Sequence, residues 1–114
     1  MARGEEWSRG EVEACVADYL HMLALELNGQ RYGKTAHARA LLQRLDGRSR
    51  ASLEFKHCNI SAVMLQLGYP YIEVYKPRRN AQGLLAEVVA EQAGASAVVQ
   101  AAAEAAALRP AVDV

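Results

Sequence analysis

The chain has 114 residues, and its 13 basic and 13 acidic side chains give a formal net charge of zero. This length corresponds to one domain, and a hydrophobic fraction of 52% is typical of a packed core rather than of a disordered chain. No apolar run is long enough to span a bilayer, and the N-terminus lacks the apolar core of a secretory signal. We therefore expect a cytoplasmic protein that has no membrane partner.

The zero net charge hides an uneven distribution of charged residues. Residues 1–29 carry two bases and six acids, residues 30–80 carry ten bases and three acids, and residues 81–114 carry one base and four acids. A basic middle segment between acidic ends indicates a surface for an anionic partner. A charge distribution that is merely solvated is the alternative, because residues that are close in sequence need not be close in space.

The first predicted helix covers about residues 9–28. Ser8 and Glu11 have the spacing of a capping box, in which each side chain binds the backbone N–H of the other residue. Apolar residues then recur at helical spacing up to Leu27. Gly29 predicts the end of this helix, because glycine readily adopts the left-handed conformation that terminates helices.

A second helix is predicted from residue 35 or 36 to residue 45, closed by Gly47. The next segment has helical apolar spacing but contains Asn59, which is a better cap than a helix-interior residue. We therefore predict a short helix over residues 53–57 and a separate helix over residues 60–67.

Residues 69–77 hold three of the five tyrosines and two of the three prolines. This composition predicts a short extended segment that packs on the helices. Asn80 predicts the start of a last helix, over residues 81–92. Residues 93–114 are rich in alanine and predict a tail or a loosely docked helix. The predicted fold class is thus all-α, with residues 1–92 as a compact domain of four to five helices.

The sequence does not predict a metal site or a cofactor. The two cysteines and three histidines lack the paired spacings that are typical of metal ligands. One enzyme pattern stands out, because Asp46, Glu54 and Lys56 match the carboxylates and lysine of many magnesium-dependent nucleases. That chemistry requires Glu54 and Lys56 on one β-strand, where positions two apart share a face. The prediction of a helix there makes this a minor alternative, and we assign no catalytic residue.

DNA binding has better support than a metal site or nuclease chemistry, because of the residue types near the predicted turns and helix starts. Helix N-termini attract phosphate through their dipole and free N–H groups, and arginine adds a forked donor. Asparagine and glutamine can read base edges, although for Asn59 we favour a capping role. Seven side chains are the predicted DNA contacts: Arg48, Arg50, Lys56, His57, Asn59, Arg78 and Arg79.

The middle of the chain, GRSRASLEFKHCNISAVMLQLGYPYI, resembles part of the N-terminal domain of bacterial McrA-like, HNH-type restriction endonucleases and related defence proteins. The resemblance covers about residues 7–90. Five segments carry it: Trp7-Ser8, residues 19–23, residues 47–72, residues 75–77 and residues 80–82.

The resemblance implies a small helical head domain with a DNA-contacting or assembly role, whose nuclease chemistry lies in a downstream domain. No His-Asn-His motif occurs here, so the nuclease activity is not carried over. We therefore expect a non-catalytic DNA-binding or accessory module that is associated with a restriction endonuclease in defence.

Two alternatives to the DNA-binding module stay open. The first is a protein–protein interaction module or homodimer that docks through its acidic first helix or its tail. The second is the small metal-dependent nuclease that uses Asp46, Glu54 and Lys56.

Overall fold

The computed structural model describes residues 7–79 and 83–108, and these residues form five α-helices and no β-strand. The predicted all-α single domain is confirmed. None of the described helices is long and apolar enough to cross a membrane. The helices are α1 (Arg9–Leu27), α2 (Lys34–Leu42), α3 (Arg50–Gln66), α4 (Gly83–Gly94) and α5 (Ala97–Leu108).

Helix α1 is the centre of the domain and contacts the other four helices. The predicted capping box starts it, since the Glu11 N–H donates to Ser8 Oγ at 3.2 Å and the Ser8 N–H donates to Glu11 Oε1 at 3.0 Å. Gly29 follows the helix with a φ of 72°, which is the predicted left-handed conformation. The buried face includes Val12, Val16, Tyr19 and Leu23, so α1 supplies much of the core.

Helix α2 ends at Leu42, three residues before the predicted end. Leu45 is still buried, although it lies in the turn that follows the helix. Gly47 then adopts a φ of 65° and reverses the chain. The apolar spacing thus predicted burial correctly but overestimated the helix length.

Helix α3 is continuous from Arg50 to Gln66, so the predicted break at Asn59 is wrong. The cap lies earlier in the chain, because Ser49 Oγ accepts a hydrogen bond from the Ser52 N–H at 3.0 Å. Asn59 instead lies in the helix interior with 1% of its surface exposed. The helix ends at Gln66, one residue before the predicted end, and Gly68 follows it with a φ of 83°.

Residues 69–79 run back over α3 without helix or strand, and we call this segment the arch. Tyr19 of α1 anchors it, because the phenol oxygen accepts the Ile72 N–H at 2.9 Å and is hydrogen-bonded to Ser61 Oγ at 2.6 Å. Ile72 and Tyr75 are buried against the helices. The predicted Tyr/Pro segment is therefore non-helical and held by buried side chains rather than by a sheet. It is extended only in part, because a turn at residues 73–75 brings the Tyr75 N–H to the Ile72 carbonyl oxygen at 3.0 Å.

Helices α4 and α5 pack against α1 and against each other. The predicted cap of α4, Asn80, lies outside the described residues. Within the alanine-rich segment, Val99 is fully buried and the Gln100 side chain donates to the Tyr69 hydroxyl at 2.9 Å. These two contacts dock α5 against the domain.

Candidate nucleic-acid interface

One face of α3 carries apolar side chains that the core does not cover. Phe55 and Leu65 are each about half exposed, at 50% and 55%. Ala62 and Gln66 lie on the same side of the helix, since positions seven and eleven residues after Phe55 return to one face. We call Phe55, Ala62, Leu65 and Gln66 the α3 stripe.

The buried amide of Asn59 fixes the end of the arch beside this stripe. Asn59 Nδ2 donates to the carbonyl oxygens of Arg78 at 2.7 Å and Arg79 at 3.3 Å. The Arg78 N–H donates to the Cys58 carbonyl at 3.0 Å, which adds a third bond between the arch and α3. Asn59 therefore acts as a clamp between two segments, and this role explains a polar residue in the middle of a helix.

The clamp presents two arginines next to the stripe. The Arg78 guanidinium lies 5.7 Å from the centroid of the Phe55 ring, in a cation–π arrangement. Arg79 lines a pocket of about 220 Å³ with Pro77 and Gln66. Both arginines are exposed. We call the α3 stripe together with Pro77, Arg78 and Arg79 the arch–α3 surface.

Arg50 is the third predicted DNA contact that reaches solvent. It is the first residue of α3, and its side chain is 41% exposed. Arg50 Nε donates to Glu54 Oε2 at 3.0 Å, one helical turn along the same helix. The exposed pair contributes little to stability and leaves the guanidinium able to exchange partners.

Two other predicted contacts, Arg48 and Lys56, lie inside the protein against Trp7. Arg48 forms a two-pronged ion pair with Glu11 at 2.9 and 3.1 Å, and only 5% of its side chain is exposed. The Arg48 guanidinium is 4.7 Å and the Lys56 ammonium 5.0 Å from the centroid of the indole's ring. The hydrogen bonds from Arg48 lower the pKa of Glu11 to about 2. These two bases therefore hold Trp7 against the domain instead of facing a ligand.

The predicted contact His57 is also buried, with 1% of its surface exposed. Its ring packs on Tyr75 with centroids 4.6 Å apart and on Tyr19 with centroids 5.9 Å apart. Burial, together with the smaller effects of Arg50 and His37, lowers the pKa of His57 to about 4. Among the described residues, neither ring nitrogen has a hydrogen-bond partner. A neutral, enclosed imidazole supplies no charge to a phosphate, so the structure places His57 and Asn59 away from any surface contact.

The geometry does not assemble the nuclease pattern. Positions 54 and 56 lie on opposite sides of a helix, and Glu54 points to solvent while Lys56 is buried. Asp46 contributes its backbone N–H to Glu11 Oε2 at 3.1 Å. Within residues 7–79 and 83–108, no three His, Cys, Asp or Glu side chains are grouped to hold a metal ion.

A second cleft, of about 410 Å³, lies between α1 and α2 and was not predicted. It contains a hydrogen bond of 2.9 Å between His37 Nδ1 and Asp18 Oδ1, and the His21 ring lies 5.7 Å from the His37 ring. The pair joins α1 to α2, and about a fifth of each of the two bonded side chains is exposed. The three residues are too far apart in sequence to form a recognisable motif, so only the fold could bring them together.

The acids of α1 are engaged in contacts within the chain. Glu13 pairs with Arg9 at 2.9 Å, and Glu26 accepts a hydrogen bond from the Tyr32 hydroxyl at 2.8 Å. Glu11 and Asp18 are bound to Arg48 and His37 as described above. The acidic first helix thus uses its charge to hold the fold.

The residues that sequence reasoning missed are Phe55, Leu65 and Pro77. Phe55 carried a signal, because it lies about 200° around the helix from the buried Leu53 and so falls outside the apolar stripe that packs inward. No sequence signal indicated that Pro77 lies close to Leu65, because their closeness depends on the path of the arch.

Comparison with known proteins gives no match: no family model, no curated protein and no solved structure is significantly similar to this chain.

Proposed function

We propose that the protein is a non-catalytic, cytoplasmic DNA-binding or accessory module of a restriction-type defence system, and that the arch–α3 surface contacts the DNA. The observation that carries the proposal is the clamp at Asn59, which holds two exposed arginines beside an exposed phenylalanine. Arginine binds phosphate through its forked donors, and an aromatic ring packs on bases. The resemblance to the head domains of McrA-like endonucleases supports the same class of partner.

The number of predicted DNA contacts that reach solvent sets the expected affinity. Arg50, Arg78 and Arg79 supply about three phosphate contacts, so the logarithm of the binding constant for duplex DNA should fall with the logarithm of salt with a slope of roughly −3. So few phosphate contacts, in the absence of base recognition, give weak binding, with a Kd on the order of 10⁻⁴ to 10⁻⁶ M at physiological salt. A low-salt series is therefore the suitable measurement.

The test is fluorescence-polarisation binding of short duplex and single-stranded DNA across a salt series. The variant Arg78→Gln/Arg79→Gln should weaken binding about tenfold or more at low salt and reduce the magnitude of the slope by roughly 2. The matched control is Arg39→Gln/Arg44→Gln, which removes the same charge from two exposed arginines in or just after α2. Methylated and unmethylated duplexes in parallel measure any preference for modified bases. Equal losses in both double variants, or no binding at low salt, would contradict the proposal.

A protein–protein interaction module is the second candidate function. Three large apolar side chains near the end of α3 and in the arch are about half exposed: Leu65, Leu67 and Val74. Exposed apolar side chains mark an interaction site where they adjoin one another on the surface. Light scattering of the purified chain over a wide concentration range tests self-association, which Leu67→Ser/Val74→Ser should abolish if this candidate is correct.

A further inference from the structure

The arch–α3 surface carries two kinds of group, and the outside of a regular DNA duplex is complementary to only one of them. Its arginines suit phosphate, but the exposed faces of Phe55 and Leu65 are apolar. The outside of a duplex presents phosphates and base edges, whereas an unpaired strand also presents the apolar faces of its bases. Resting on the proposed function above, we infer that this surface binds a short single-stranded or locally unpaired segment of DNA.

Phe55 is the stacking position for one base. Half of its surface is exposed, so a base can reach the ring. The Arg78 guanidinium already lies 5.7 Å from the ring centroid, which is the arrangement that strengthens base stacking in single-strand binding proteins. Arg78 can thus hold the phosphate of the nucleotide whose base packs on Phe55.

The pocket beside Arg79 is the site for a second base. Its walls include Leu65, Ala62 and Pro77, and these apolar groups suit the faces of a flat ring. Gln66 and Arg79 supply the polar groups, and a glutamine amide offers both a donor and an acceptor to a base edge. The volume of about 220 Å³ is below the range for drug-sized ligands, roughly 300 to 1,000 Å³, and is consistent with one small ring system.

The two positions lie within reach of one strand. Phe55 and Ala62 are seven residues apart on α3, which at about 1.5 Å per residue is roughly 10 Å along the helix axis. This separation equals about three base steps at roughly 3.4 Å each. Arg78 and Arg79 are consecutive residues that face the two positions, so their guanidinium groups can follow the same backbone. The surface therefore holds a segment of about three to five nucleotides.

The test compares a labelled oligothymidine of about twelve nucleotides with a duplex of the same length, at one low salt concentration. The single strand should bind at least about fivefold more tightly than the duplex. Phe55→Leu keeps the apolar character of the side chain but removes the aromatic face, and it should weaken single-strand binding roughly tenfold, as expected for one stacked base. Gln66→Ala should weaken it less. Val98→Ala, at a large exposed apolar residue of α5, is the matched control and should leave binding unchanged.

The outcomes separate this inference from the proposed function. Equal affinity for both DNA forms, with no effect of Phe55→Leu but a loss in Arg78→Gln/Arg79→Gln, overturns the single-strand inference and leaves the DNA-binding proposal standing. No binding of either form overturns both. Tighter binding of oligouridine than of oligothymidine would assign the surface to RNA and would also overturn the inference. Circular dichroism melting of each variant confirms that it is folded, which is expected because both test positions are exposed.

Discussion

Two pairs of basic residues look equivalent in the sequence, but the side chains of one pair are buried and those of the other are exposed. Arg48 and Lys56 are buried against Trp7, where an ion pair with Glu11 neutralises the guanidinium. Arg78 and Arg79 are exposed at the end of the arch, where the buried Asn59 amide and the Cys58 carbonyl bind their backbone rather than their guanidinium groups. The first pair stabilises the fold, and the second is free to meet an anion. A basic segment in a sequence therefore describes a surface only after the partners of each base are known.

The Glu11–Arg48 pair should be the largest single electrostatic contribution to stability in the described structure. Glu11→Ala leaves Arg48 buried without its carboxylate and removes half of the capping box, so we expect a loss of about 4 kcal/mol in the free energy of unfolding. Urea denaturation measures it. Glu11→Gln is the control that keeps a capping side chain but removes the charge, and it should cost less, about 3 kcal/mol. A loss below about 1 kcal/mol for the alanine variant would show that the pair is a solvated surface contact.

The buried imidazole of His57 should make the domain sensitive to mild acid. Its pKa in the folded state is about 4, below its ordinary value of 6.5, so the unfolded chain binds the proton more readily. The stability is complete above about pH 6.5 and is lost as the pH falls toward 4, by up to about 3 kcal/mol at roughly 1.4 kcal/mol per pKa unit. Glu11 adds a second loss as the pH falls from its ordinary value of 4.5 toward 2. Urea midpoints measured from pH 7 to pH 3 should show both losses.

His57→Phe separates the two losses. The phenyl ring keeps the packing on Tyr19 and Tyr75 but cannot be protonated, so the loss between pH 6.5 and 4 should disappear and the lower one should remain. At pH 7 the variant should be as stable as the parent, or about 1 kcal/mol more stable, because no hydrogen bond of the ring is lost among the described residues. An unchanged pH profile in this variant would rule out His57 as the source.

The Asn59 clamp connects the two regions, and its loss should affect both stability and binding. Asn59→Ala removes two partly buried hydrogen bonds to the arch and should cost about 2 kcal/mol in the free energy of unfolding. Hydrogen exchange should be faster at the Arg78 amide, which donates to the Cys58 carbonyl, than in the parent protein. DNA binding should weaken as well, since Arg78 and Arg79 lose their fixed position. Ser61→Ala, which changes a different buried contact of α3, should weaken binding less.

Local sequence signals predicted the two ends of α1 better than the roles of single residues. The capping box at Ser8 and the left-handed glycine at position 29 depend on a few neighbouring residues, so sequence spacing was sufficient. Asn59 misled the prediction because its amide binds carbonyls 19 and 20 residues away. A contact of that length overrides the local preference of asparagine for caps, and no local pattern announces it.

The same limit explains the candidate site. The basic segment predicted seven DNA contacts, and three of them, Arg50, Arg78 and Arg79, reach the surface near Phe55 or the arch. Burial of the others depends on Trp7 and Tyr19 packing against α3 from another part of the chain. The sequence contained the correct residues, but only the fold determines which of them a ligand can reach.

The smallest expected effect is at the exposed Arg50–Glu54 pair, and it separates binding from stability most directly. Glu54→Gln removes an exposed partner whose contribution is on the order of 0.5 kcal/mol or less, so the urea midpoint should barely move. The same change removes a negative charge beside Phe55 and releases Arg50. At a distance of roughly 8 Å in water, one unit charge is worth about 0.5 kcal/mol, so DNA binding at low salt should tighten about twofold. Polarisation titrations of the parent and the variant in one buffer measure the difference, and added salt should erase it. Unchanged or weaker binding in this variant would place the anionic partner elsewhere on the molecule, because an acid beside the arch–α3 surface repels a phosphate that is bound there.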